Sequence, residues 1–230
     1  AVNTTGQHNV AIGYVALTKN TGGFSNVALG SMALTSNIGG HSNTALGYQA
    51  LYHNTGSQNV AIGAGAGLSN TNGSGNVAIG RDAQNLNTTG PYNIAIGAAA
   101  SEQNVSSQGN VVIGHQAMRY AKTAGNTALG YRAGFKITSG ANNTFLGYLA
   151  DASSADVNYS MAIGNGAIVN ASNKVQIGNG VITAVQLGTG ANVTLETGLV
   201  KLTGGTPGVG KVLTSDADGL ASWEEAPGGQ

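Results

Sequence analysis

Apolar and polar positions recur in a fixed order along this chain, first as Asn9-Val10-Ala11-Ile12-Gly13 and then every 16 or 17 residues. The closing glycine returns at Gly30, Gly47, Gly63, Gly80, Gly97, Gly114, Gly130, Gly147 and Gly164, and after a shorter step at Gly178. Ile or Leu precedes it each time, as Ile12 does Gly13, and through Gly164 an alanine follows three residues later, from Ala16 to Ala167. Asn leads the copies at Asn9, Asn26, Asn43, Asn59, Asn76, Asn93, Asn110, Asn126 and Asn143, giving way to Ser160 and Lys174. A second Asn rank runs Asn3, Asn20, Asn37, Asn54, Asn70, Asn87 and Asn104, mostly followed by Thr, and stops there. Self-similarity at a sustained period of this length is the signature of a solenoid.

Within each copy the alternation predicts a short strand, with Val10 and Ile12 on one face and Asn9, Ala11 and Gly13 on the other. Stacked at the strand spacing of about 4.8 Å, ten such steps make a rod about 50 Å long in which like residues form columns. The fold expected is all-β: a parallel β-solenoid over residues 1–180 with 16–17-residue coils, followed by a small β-rich cap or neck over 181–230. Columns of Asn can bond amide to amide along the rod, as Asn9, Asn43, Asn76 and Asn143 would, satisfying polar groups at a partly buried turn. Asn-Thr-x-Gly segments, as at Asn20 and Asn87, suit turns because Asn and Gly tolerate positive φ. Two or three aliphatics per coil make a thin core for a lone chain. The small-residue columns, Ala11, Gly13 and Ala16 and their counterparts such as Gly47, Gly80 and Gly147, are expected to let a second chain approach closely, giving a homo-oligomer with a shared axis.

Composition narrows the alternatives. The 38 glycines do not fall every third residue and there are only three prolines, which excludes collagen. Regular apolar positions argue for order despite the Gly, Asn, Ser and Thr content. Charged residues are 8% and balance to zero, so there is no basic field for nucleic acid or an anionic membrane. Cysteine is absent, which removes disulfides and thiolate chemistry. No apolar run reaches the roughly 18 residues a membrane helix needs, so no membrane insertion is expected of this segment. Ala1 opens without a charged-then-apolar signal segment, as expected of a mature or excised piece of a longer protein.

The motifs N-V-A-I-G, N-T-A-L-G-Y-Q-A-L and N-V-A-I-G-A-G-A resemble the YadA-like head repeats of trimeric autotransporter adhesins and similar repeats in phage tail fibres and bacterial surface fibres. The resemblance covers about Asn3 to Gly180, including Asn173-Lys174-Val175-Gln176-Ile177-Gly178, which is similar to the sequence that closes such heads. It implies a left-handed β-roll, three parallel chains about a threefold axis, and an extracellular location on a bacterial surface or virion tail. Left-handedness comes from the resemblance alone. Autotransporter heads usually run two or three residues shorter per repeat, and the longer Asn-Thr-x-Gly turn here looks more like tail-fibre versions.

After Gly178 the rhythm breaks. Residues 181–187, 193–196 and 199–202 read as short strands, and Lys211 to Trp223 reads as a hairpin around Asp218-Gly219. Trp223 is its one large apolar anchor, and a cap would protect the exposed strand edge of a solenoid.

Candidate chemistry is sparse, and no catalytic residue, metal site or cofactor is expected. Before Arg81 the only charged residue is Lys19. His8, His41, His53 and His115 fall at different phases of the repeat, and Asp216-Ala217-Asp218-Gly219 lacks the remaining ligands of a calcium loop. The glycines of Gly63-Ala64-Gly65-Ala66-Gly67 lack the Gly-Lys-Ser/Thr of a phosphate loop. Tyrosine follows the repeat glycine at Tyr14, Tyr48, Tyr131 and Tyr148. Tyr131 and Tyr148, in adjacent coils, should stack into an aromatic strip, either a ligand surface for sugar or peptide or a corner cap on the coil interior. The function expected is a non-enzymatic trimeric fibre segment that binds a cell-surface glycan or protein receptor, or that spaces a distal binding domain. An ice-binding solenoid is the alternative suggested by the rank Thr4, Thr21, Thr55, Thr71 and Thr88, which Ile38 and Val105 interrupt. A polysaccharide-degrading solenoid would need carboxylates to converge, whereas Asp82, Glu102, Asp151 and Asp156 are out of phase.

Overall fold

Each Asn-x-Ala-x-Gly copy is long enough for only three extended residues before its glycine turns the chain, and three-residue strands cannot stand alone; they persist by pairing with the next coil. A computed structural model describes residues 4–182, 208–209, 211–215 and 221–226. Its strands are β1 Val10–Ile12, β2 Val27–Leu29, β3 Thr44–Leu46, β4 Val60–Ile62, β5 Val77–Ile79, β6 Ile94–Ile96, β7 Val111–Ile113, β8 Thr127–Leu129, β9 Thr144–Leu146, β10 Asp151–Ala152, β11 Met161–Ile163, β12 Ile168–Val169 and β13 Val175–Ile177, then β14 Lys211–Ser215 and β15 Ala221–Glu225. The described chain is all-β, and residues 4–180 form the expected parallel β-solenoid of about ten coils. One eleven-stranded parallel sheet runs β1 to β9, then β11 and β13, with like residues in register, as in Ala28↔Ala45 and Leu29↔Leu46. Strands β10 and β12 pair separately on the last coils.

The chain divides into two compact units, Ala1–Val185 and Gln186–Gln230. In the second, β14 and β15 form the expected antiparallel hairpin, with half-buried Trp223 opposite Leu213. The strands expected at 193–196 and 199–202, most of that at 181–187, and Asn3 lie outside the described residues.

The faces of the strand are divided as expected, but their roles are reversed. Alanine at the strand centre points into the coil: Ala28, Ala45, Ala61 and Ala95 are fully buried and Ala78 nearly so, as are Ala33, Ala50 and Ala83 after the glycine. The alanine columns therefore pack the interior of one chain and are not the surface on which a second chain could rest. The flanking aliphatics point outward, leaving Val10 at 47%, Ile12 at 61% and Leu46 at 41% exposure. The coil interior is narrow: alanine occupies most strand centres, and the larger Val112 and Phe145 take that position in β7 and β9, where both are fully buried.

The third interior column carries Leu17, Leu34, Leu51 and Met118, all at left-handed φ between 41° and 51°. That conformation costs an L-residue about 1–2 kcal/mol, and burying Leu returns about as much or more. Where this column shrinks to Gly134, the neighbouring strand centre enlarges to Phe145, whose ring occupies the space a Cβ on Gly134 would need. The repeat glycine is required by both conformation and space: at Gly80, with φ 122°, a Cβ would stand 2.6 Å from the backbone carbon of Gly97.

Buried Asn side chains complete the stack. The Asn93 amide N–H donates to Asn76 Oδ1 at 2.9 Å, the Asn110 amide N–H donates to Asn93 Oδ1 at 3.0 Å, and Asn93 Nδ2 donates to the Ser107 carbonyl at 2.8 Å. The second rank bonds likewise, as from Asn37 Nδ2 to Asn20 Oδ1 at 3.0 Å, but less completely, since Asn37 Oδ1 and Asn70 Oδ1 are buried without a donor among the described residues. Asn93→Ala would orphan the Asn110 backbone N–H in the interior, while the Ser107 carbonyl keeps its bond from Asn104 Nδ2, so a loss of about 1–3 kcal/mol in urea unfolding is expected. Asn37→Ala, from the less complete rank, should cost less, and equal costs would contradict this ordering.

Candidate functional site

With alanine, asparagine and glycine consumed inside, surface chemistry is confined to the columns that point outward. The largest is the outer face of the eleven-stranded sheet. One column runs Val10, Val27, Thr44, Val60, Val77, Ile94, Val111, Thr127, Thr144, Met161 and Val175; beside it lie Ile12, Leu29, Leu46 and their counterparts to Ile177. All but the three threonines are apolar, none is charged, and the stripe is about 50 Å long. Its residues are most exposed toward the two ends, as at Ile12 (61%) and Val175 (59%), and half-buried in β4 to β6.

The column following the repeat glycine carries the four candidate tyrosines. Tyr14 (73% exposed) and Tyr48 (53%) occupy separate coils and are not brought together. Tyr131 and Tyr148 stack as expected, with ring centroids 5.2 Å apart and planes 14° apart. His115 extends the ladder, lying 5.5 Å from Tyr131 and nearly parallel to it. It occupies the same phase one coil earlier, a signal legible once the column rather than the residue type is followed. The Arg132 guanidinium lies 5.5 Å from the Tyr131 centroid and 4.7 Å from that of Phe135, and its Nε donates to Gln116 Oε1 at 2.8 Å. Tyr131 is thus covered on both faces, whereas Tyr148 at the end of the ladder stacks on one ring only and is 53% exposed.

Three of the histidines sit against aromatic rings: His115 on Tyr131, His41 stacked on Phe24 at 4.7 Å, and His53 edge-on to Tyr52 at 4.6 Å. Among the described residues no three His, Cys, Asp or Glu side chains assemble as a metal set. The four carboxylates are each held by their own neighbours. Asp82 lies 3.6 Å from Arg81, Glu102 bonds Arg119 at 2.5 Å, Asp156 accepts from Ser154 and Asp151 is buried. The threonine rank is also committed: Thr55 Oγ1 donates to the Thr71 carbonyl at 2.6 Å, and Thr71 Oγ1 to that of Thr88 at 3.0 Å. Those hydroxyls reinforce the stack. Among the described residues no helix is long and apolar enough to cross a membrane.

Comparison with protein-family models, curated proteins and solved structures gives no match. What the chain can do is therefore read from its own columns.

Asp151 is the electrostatic exception. It occupies the interior column of Leu17 and Met118, and burial pushes its carboxyl up to about 6 against the opposing pull of the Ala152 and Lys136 backbone N–H groups. The folded state then holds a proton that the unfolded chain releases near pH 4, so stability is greatest below that value and falls as pH rises to about 6. The loss should total about 3 kcal/mol at pH 7. Asp151→Asn should flatten the dependence of unfolding on pH between 4 and 7, and a slope as steep as that of the parent chain would show that another group is responsible.

Proposed function

We propose that this chain is a non-enzymatic segment of an extracellular attachment fibre, three copies of which assemble side by side as left-handed β-rolls on a bacterial surface or a virion tail. The observation that carries the reading is the uncharged aliphatic stripe along the outer sheet face. It supplies a surface of the length of the solenoid that a lone chain would leave in water, and parallel copies in register would cover it with their own equivalent columns. The repeat motifs, through their resemblance to trimeric adhesin heads, suggest three copies. The hairpin containing Trp223 fits a cap or neck. Attachment would act by multivalency: three identical side surfaces present weak sites that together hold a cell-surface glycan or protein receptor firmly. A spacer carrying a distal binding domain would use the same assembly.

Light scattering on the purified chain should give three times the single-chain mass. Leu46→Lys with Leu129→Lys, both on the stripe, should lower that mass while leaving the β-sheet circular dichroism of any remaining folded chain in place. Ala45→Leu or Ala78→Leu, by contrast, overfills the coil interior and should cost about 1–3 kcal/mol in stability. A folded parent of single-chain mass, or a lysine variant of undiminished mass, would refute assembly through this face.

A further inference from the structure

The corner immediately before each leading asparagine forms another outward column: Ser42, Gln58, Gly75, Tyr92, Gly109, Gly125, Asn142 and Tyr159 occupy it in successive coils. All sit at left-handed φ, from 52° at Tyr159 to 74° at Gly125. Side chains in this column lean back over the preceding coil. A Cβ on Gly75 would meet the Tyr92 ring at 2.8 Å, and one on Gly125 would meet Asn142 Oδ1 at 2.4 Å. Over Gly109 there is nothing within 4 Å. The consequence is an open groove of about 510 Å³, lined by Tyr92, Gln108, Gly109, Ala124, Gly125 and Asn142.

This groove sets an unstacked ring beside side-chain amides without partners. Tyr92 is 69% exposed and contacts no other aromatic ring among the described residues, whereas Tyr131 lies between His115 and Tyr148. The carboxamides of Gln108 and Asn142 make no hydrogen bond within the described residues, although Asn143, one residue on, is spent on the interior ladder. No lining residue is charged. An aromatic ring that rests on Gly75 and is stacked on no other ring, beside free amides, matches the apolar ring faces and hydroxyls of a sugar.

We propose that the Tyr92–Asn142 groove is a binding site for a neutral pyranose within a glycan chain, with Tyr92 as the stacking platform and the Gln108 and Asn142 amides bonding its hydroxyls. The groove is built by one chain; the proposal rests on the attachment reading only for placing such a glycan at a cell surface.

The test uses the full chain, with cellohexaose, maltohexaose, chitohexaose and xylohexaose as neutral probes and hexagalacturonate as the acidic comparison, measured by calorimetry. At least one neutral probe should bind, and hexagalacturonate should not. Tyr92→Ala and Gly109→Gln should each weaken that binding at least tenfold. Gln58 already occupies the same column at φ 61°, so the column accepts glutamine, and one placed at 109 would lean over Tyr92 and fill the groove. Tyr148→Ala should leave binding unchanged. Binding that survives both groove substitutions, binding lost only with Tyr148→Ala, or preference for hexagalacturonate would each overturn the proposal. So would failure of every neutral probe to bind, and with a threefold mass in light scattering that failure would leave the fibre reading intact.

Discussion

The buried asparagine carboxamide is the interaction on which the rest of the fold depends. From Asn9 to Asn93 each asparagine of the leading rank accepts from the backbone N–H of the asparagine one coil later and donates to a carbonyl at the following turn, as Asn43 does to Gly56. A buried amide satisfied on one side only would cost more than it returns. The ladder is therefore stable only when the same residue returns at the same place in coil after coil, which fixes the period, the parallel register and the glycine whose backbone the next coil nearly touches. The chain tolerates variation wherever the ladder does not reach.

That requirement also decides which face is the interior. A strand of period two must turn one set of residues inward, and the asparagine carries alanine and glycine in with it. The interior is accordingly narrow, its volume balanced locally, as when Phe145 fills the space left by Gly134. The aliphatics that would be the core of an ordinary domain are left outside, and the surface they make is the strongest reason to read the chain as one member of an assembly.

The outward columns hold what individuality the repeat allows. In the column after the glycine, chance neighbours in sequence 16 or 17 residues apart become the stacked His115, Tyr131 and Tyr148. In the column before the asparagine, two glycines between Tyr92 and Asn142 leave a groove where other coils carry side chains. Function in such a fold is written in the substitutions within a column, read across coils.

The sequence by itself determined the solenoid, its coil length, its parallel register and the buried asparagine columns, because exact repetition leaves only stacking to satisfy those groups. It also made the Tyr131–Tyr148 contact legible, since equal phase in adjacent coils means adjacency in space. Only the tertiary structure decided that Ala45 and Ala78 point inward and Leu46 outward, because both faces of the strand are apolar and periodicity cannot choose between them. Only it decided that stacking hides the faces of Tyr131 while Tyr92 stands clear of other rings, because ring orientation and the lean of a side chain over its neighbour depend on the three-dimensional course of each corner.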